Sequence, residues 1–131
     1  MKGAGVVIAD TSVWIEFFNK PGSKEKRSMD FLIDENQLAF VGPVLMELLQ
    51  GCRTSKDADL ILNHVSALPF LEMSFSTWQR TGEISASLRR KGTTLPTIDL
   101  IIAALAMEHD AEVFTVDPHF QKIPGLKLYK P

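Results

Sequence analysis

The chain carries a single cysteine, Cys52, among its 131 residues. No internal disulfide is possible, so the fold must rest on burial, and the thiol count suits a reducing compartment such as the cytoplasm. Long apolar runs are missing too. The strongest, residues 100–107, is far shorter than the roughly 20 residues a membrane-spanning helix needs. The start, MKGAGVVIADTSVW, breaks its short apolar run at Asp10 and shows no small-residue cleavage pattern, so a secretory leader is not expected. There is no basic excess: 14 Lys plus Arg stand against 16 Asp plus Glu, a formal charge of −2. Bulk charge gives no pull toward nucleic acid, and any such contact has to come from a local patch. No internal repeat, no linker-like stretch and no His/Cys zinc spacing is visible. What is there is a globular composition, 45% hydrophobic and 23% charged, at a length suited to one domain over residues 1–131.

Residues 6–9 form a continuous β-prone run of the kind parallel sheets bury on both faces. Residues 12–18 read as a helix with Thr11 or Ser12 as N-cap. A more polar helix is expected over 23–35 and a short strand over 38–41. Gly42-Pro43 opens a third helix, with Pro43 suited to its first turn and Gly51 placed to end it. Helices follow over 54–67, 76–91 and 97–109, then a strand over 113–116 and a last candidate strand over 126–129. Strands alternating with helices indicate an α/β domain around a mostly parallel central sheet flanked by helices.

Two of the β-prone runs lead to aspartates, Asp10 and Asp117, at opposite ends of the chain. In open parallel α/β sheets, ligands bind beyond the carboxyl ends of the strands. If the two strands are neighbours, both carboxylates enter one crevice; the alternative is that each caps the helix or turn that follows. Glu47 is the lone charge in GPVLMELLQG, a helix apolar nearly all round and therefore expected to be buried. A buried unpaired carboxylate protonates, finds a partner or binds a metal. Its nearest basic candidate, Arg53, lies off the matched helix face. Asp99 stands alone in LPTIDLIIAALA, in a first turn where the helix dipole favours a carboxylate by about 0.3–1 kcal/mol.

Four such carboxylates, brought together, repel one another unless protonated or neutralised by cations. Oxygen donors favour a hard cation, Mg²⁺ or Mn²⁺. A carboxylate cluster around one or two such ions is a means of phosphodiester hydrolysis, because the metal activates a water and stabilises charge on the phosphate. Thr115, two residues before Asp117, shares its face in an extended strand, and its hydroxyl or that of Ser12 could hold a metal-bound water; capping or core packing is the ordinary role for each.

The stretches IADTSVWIEFF, VGPVLMELLQG, LRRKGTTLPTIDLIIAALA and VFTVDPHFQKIPGL, in this order and spacing, resemble the PIN-domain ribonucleases, in particular the VapC toxins of prokaryotic toxin–antitoxin pairs. No single stretch is specific; all four in order are, and together they cover essentially the whole chain. The resemblance implies a single Rossmann-like PIN domain with Asp10, Glu47, Asp99 and Asp117 as the catalytic, metal-holding acidic quartet. Thr115 matches the Thr or Ser that commonly precedes the last acid by two. Also implied are Mg²⁺ or Mn²⁺ as cofactor, endonucleolytic cleavage of RNA, a cognate VapB-like antitoxin as partner, and a homodimer. No acid of the pattern is missing.

Two basic runs are candidates for the RNA backbone: Lys20, Lys24, Lys26 and Arg27, and Arg89, Arg90 and Lys91. Either run is equally readable as a solvated helix face. Trp14 and Phe17 read as core or protein interface rather than a base-stacking platform. His64, His109 and His119 lack ligand spacing, His109 reading as a helix end and His119 as a turn residue. Cys52 reads as a small packed side chain, and Glu16, Asp30, Asp34 and Glu35 as solvated. Phosphatases of the haloacid-dehalogenase type need a second Asp where Ser12 stands. Receiver domains need a late-strand Lys that is not offered here. A non-catalytic, metal-stabilised protein-binding module stays open.

Overall fold

The computed structural model describes residues 5–131. Strand β1 (Val7–Ala9) leads into α1 (Thr11–Asn19) and α2 (Lys24–Asp34), and β2 (Leu38–Val41) into α3 (Gly42–Gln50) and α4 (Ser55–Val65). The two-residue β3 (Phe70–Leu71) precedes α5 (Phe75–Arg90) and α6 (Thr97–Glu108), and β4 (Glu112–Phe114) is followed by a short 3₁₀ helix, Pro118–Lys122. All pairings are parallel, in the order β3-β2-β1-β4. The chain moves outward from β1 to β2 to β3, then returns to the far side of β1. The winding therefore reverses between β1 and β4, and a crevice opens there beyond the strand ends.

The expected α/β architecture is what folds, and its core explains why. Both central strands, β1 and β2, are buried along their whole length, which is why they read as unbroken apolar runs. Helix α6 packs on β1 and β4 and buries Leu100 through Ala106, its alanines allowing close approach to the sheet. Trp14 is fully buried and packs against Phe17, Phe18 and Phe40 at ring-centroid distances of 5.2–5.8 Å. It is a core residue of a class whose truncation costs about 3–5 kcal/mol.

Three local expectations change. The strand expected over 113–116 stops at Phe114. Beyond it the Val116 amide donates to Ser12 Oγ (3.2 Å) and the Asp117 amide to Thr115 Oγ1 (2.8 Å), so side-chain oxygens capture donors that a ladder would have used. The strand expected over 126–129 reduces to one parallel bridge, Val113 to Leu128. The N-cap of α1 is Asp10 itself, accepting from the Val13 amide, and not Thr11 or Ser12.

Candidate metal centre

The register that pairs Ala9 with Phe114 carries Asp10 beside Thr115 at the reversal point. Capping and crevice readings of Asp10 both hold. Its Oδ1 accepts from the Val13 amide (3.3 Å) and Ser12 Oγ (2.6 Å), and its Oδ2 accepts from Thr115 Oγ1 (2.6 Å). The residue is 4% exposed. Burial pushes its carboxyl above the usual range. Hydrogen bonds from Ser12, Thr115 and Val13 oppose that push, and the charge of Asp117 adds to it.

Asp99 reaches the same crevice from the first turn of α6. Burial raises its carboxyl first, the His119 hydrogen bond opposes the rise, and the charges of Asp117 and Asp10 reinforce it. Asp117 caps the 3₁₀ helix by accepting from the His119 amide at 2.9 Å. That turn folds the His119 ring back, so its Nδ1 lies 3.2 Å from Asp117 Oδ1 and 3.3 Å from Asp99 Oδ2. Ligand atoms of Asp99, Asp117 and His119 all lie within 4.8 Å of one another.

Glu47 differs from its expected setting. Helix α3 is not buried all round: Pro43, Val44 and Leu48 face the core while Met46 is 47% exposed. Glu47 is half-buried and accepts from Thr11 Oγ1 at 2.5 Å, so its partner is the residue after Asp10 and not Arg53. It flanks the cluster rather than joining it. Thus Asp99 and Asp117 meet with His119, Asp10 couples to them by charge and accepts from Thr115, and Glu47 connects through Thr11.

His119 was expected only as a turn residue. The signal for its local fold was present in Asp117-Pro118-His119, since Pro118 presets the turn. Its approach to Asp99, twenty residues earlier in sequence, needed the tertiary fold. The two basic runs also separate. Lys20 pairs with Glu16, Lys26 pairs with Asp30 and lies over the Phe17 ring, and Arg27 donates to the Gly22 carbonyl. Arg89, Arg90 and Lys91 are exposed, and none forms an ion pair among the described residues. Ser76 and Thr77, at the start of α5, donate to Glu108 at the end of α6. The two helices are therefore antiparallel, and the basic turn lies toward the start of α6.

The close donor set is two carboxylates and one imidazole, with the Asp10 carboxylate coupled to it by charge. Two of the carboxyls are lifted by burial and by their neighbours' charge, which is the condition a divalent cation relieves. These residues fit such an ion. No helix among the described residues is long and apolar enough to cross a membrane.

Together the fold and crevice define an α/β protein with an acidic centre at the reversal point of a parallel sheet. The chain belongs to the PIN domain family, whose profile spans residues 7–126. It is 30% identical over 122 residues to Ribonuclease VapC11 of Mycobacterium tuberculosis, covering 90% of this chain and 91% of that protein. It is 29% identical over 115 residues to the tRNA(fMet)-specific endonuclease VapC of Salmonella typhimurium, covering 84% and 85% of the two chains. Among solved structures, it superposes on DNA-bound VapBC from Salmonella typhimurium with a TM-score of 0.82 at 25% identity, covering 96% of this chain and 98% of that one.

Proposed function

We propose that this chain is a divalent-cation-dependent endoribonuclease and the toxin of a VapBC-type pair, acting in the cytoplasm as a single PIN domain and a homodimer. The observation that carries the reading is the approach of Asp99 and Asp117 ligand atoms within 4.8 Å, with Asp10 coupled to both by charge. Asp10, Asp99 and Asp117 would hold Mg²⁺ or Mn²⁺, which on binding supplies an activated water and charge stabilisation at the phosphate. Ser12 and Thr115 fix the Asp10 carboxylate by donating one hydrogen bond to each of its oxygens. Glu47, held by Thr11 at the edge of the cluster, is assigned to accept the proton lost by the attacking water. Arg89, Arg90 and Lys91 guide the RNA backbone past the acids.

The antitoxin is assigned to a groove of about 400 Å³ between α1, α3 and α4, lined by Ile15, Phe18, Leu48, Leu60 and Ile61. An amphipathic segment fits an apolar groove of this kind. Glu47 also lines it, so an occupant borders the acidic centre.

The test is cleavage of structured RNAs, transfer RNAs included, by the full chain freed of any partner, with Mg²⁺, Mn²⁺ or EDTA. Asp10→Asn and Asp99→Asn proteins run in parallel. Cleavage should occur only with metal and should fall roughly 100-fold or more in both variants. Cleavage persisting in EDTA or in both variants would remove the centre from the chemistry. Intact antitoxin binding with no cleavage of any RNA would favour the metal-stabilised binding module.

A further inference from the structure

His119 lies between carboxylates carried by two separate elements, Asp99 of α6 and Asp117 at the 3₁₀ helix. The Asp117 cap fixes the His119 amide, and Pro118 limits the backbone before it, so the ring is carried on a fixed turn. Its Nδ1 lies 3.2 Å and 3.3 Å from oxygens of Asp117 and Asp99. Ligands bound at about 2.0–2.2 Å to one cation sit roughly 3–4 Å from each other. The spacing of these three atoms, all within 4.8 Å, is thus that of donors sharing one ion after small shifts. The ring is 43% exposed on its side chain, so it can adjust without disturbing the core.

We propose that His119 Nδ1 is a direct ligand of the cation held by Asp99 and Asp117, making a mixed oxygen–nitrogen site that selects Mn²⁺ over Mg²⁺. The inference rests on the divalent-cation reading above. Mg²⁺ takes oxygen ligands and keeps its waters, whereas Mn²⁺, although it too favours carboxylates, belongs to the first-row series that binds nitrogen donors and can add an imidazole to them. The competing account is that the ring nitrogen only bridges the two carboxylates and is displaced when metal enters.

Pulsed EPR of the Mn²⁺-loaded full chain separates the two accounts. A directly bound ring gives ¹⁴N hyperfine coupling, converted to the ¹⁵N pattern when the protein is grown with ¹⁵N-histidine. The coupling should be absent in His119→Gln, while His64 and His109 remain. Titrations should show Mn²⁺ affinity falling roughly 10–100-fold in His119→Gln, as even supporting groups of metal sites do on removal, with little change for Mg²⁺. Mn²⁺ bound in an Asp99-dependent way without nitrogen coupling overturns the His119 assignment alone. Coupling that survives in His119→Gln overturns it too. Failure of the native chain to bind Mn²⁺, or binding indifferent to Asp99→Asn, overturns both this inference and the divalent-cation reading. The wild-type spectra stand without any variant having to fold.

Discussion

Asp99, a proposed metal ligand, shows how a buried carboxylate works against the fold that carries it. Its carboxyl is raised above the ordinary value of 3.8, first by burial, against the His119 hydrogen bond, and further by Asp117 and Asp10. Between the unfolded and the raised folded value, the native state binds more protons than the unfolded one. Stability of the metal-free protein therefore falls as pH rises through that window, and the loss is complete above it. Asp99→Asn removes the charge at nearly constant volume. In EDTA at pH 7 the variant should melt a few degrees above the native chain, and the gap should close as pH is lowered toward 4. Calorimetry across pH checks this, and a variant that melts lower at pH 7 refutes it. The residue was legible in the sequence for the same reason it is strained: it is a lone charge in an apolar run. Asp10, too, stood out as the charge that ends an apolar run. Glu47 was legible as a candidate but not in its setting, because the exposed Met46 breaks the rule that apolar residues lie inside. His119 carries no sequence signal beyond its turn, since its approach to Asp99 exists only once α6 is docked.

At the scale of elements, α5 was readable from one spaced buried face, Thr77, Thr81 and Leu88, and α6 from an unbroken apolar run, while α4 buries only Val65. The short strands depended on neighbours. Residues 70–71 are too few to show a period, and residues 126–129 look β-prone yet make one bridge. The antiparallel pair α5–α6 does what neither helix announces alone, directing an exposed basic turn toward the end of α6 that carries Asp99. Charge reversal there, as Arg89→Glu with Arg90→Glu, should weaken RNA binding by the metal-free chain roughly tenfold. It should also lower the salt dependence by about 1 for each phosphate no longer neutralised. Lys20→Glu with Lys26→Glu is the matched control, because those lysines already pair within their helices. Salt-dependent binding titrations decide it: equal losses in the two pairs would mean general charge, and a loss confined to the control would assign the RNA path to the first run.

On the scale of the whole molecule, the acidic centre and the apolar groove share a wall. Glu47 lines the groove and bonds Thr11, which is adjacent in sequence to Asp10. On the proposed docking, an antitoxin segment seated there would silence the enzyme by covering that rim, with no change in the core. Leu60 is the cleanest probe of the groove because it is 54% exposed and far in sequence from every acid of the centre. Substituting so exposed a residue should change chain stability by no more than about 0.5 kcal/mol. Leu60→Asp withdraws about 1–2 kcal/mol of apolar burial from the complex and adds a charge that must lose its water. At about 1.4 kcal/mol per tenfold, antitoxin affinity should fall roughly tenfold to a hundredfold or more. RNA cleavage by the antitoxin-free variant should match the native rate. At antitoxin concentrations that silence the native chain, the variant should keep cutting. Full inhibition of Leu60→Asp at native stoichiometry would place the antitoxin on another face.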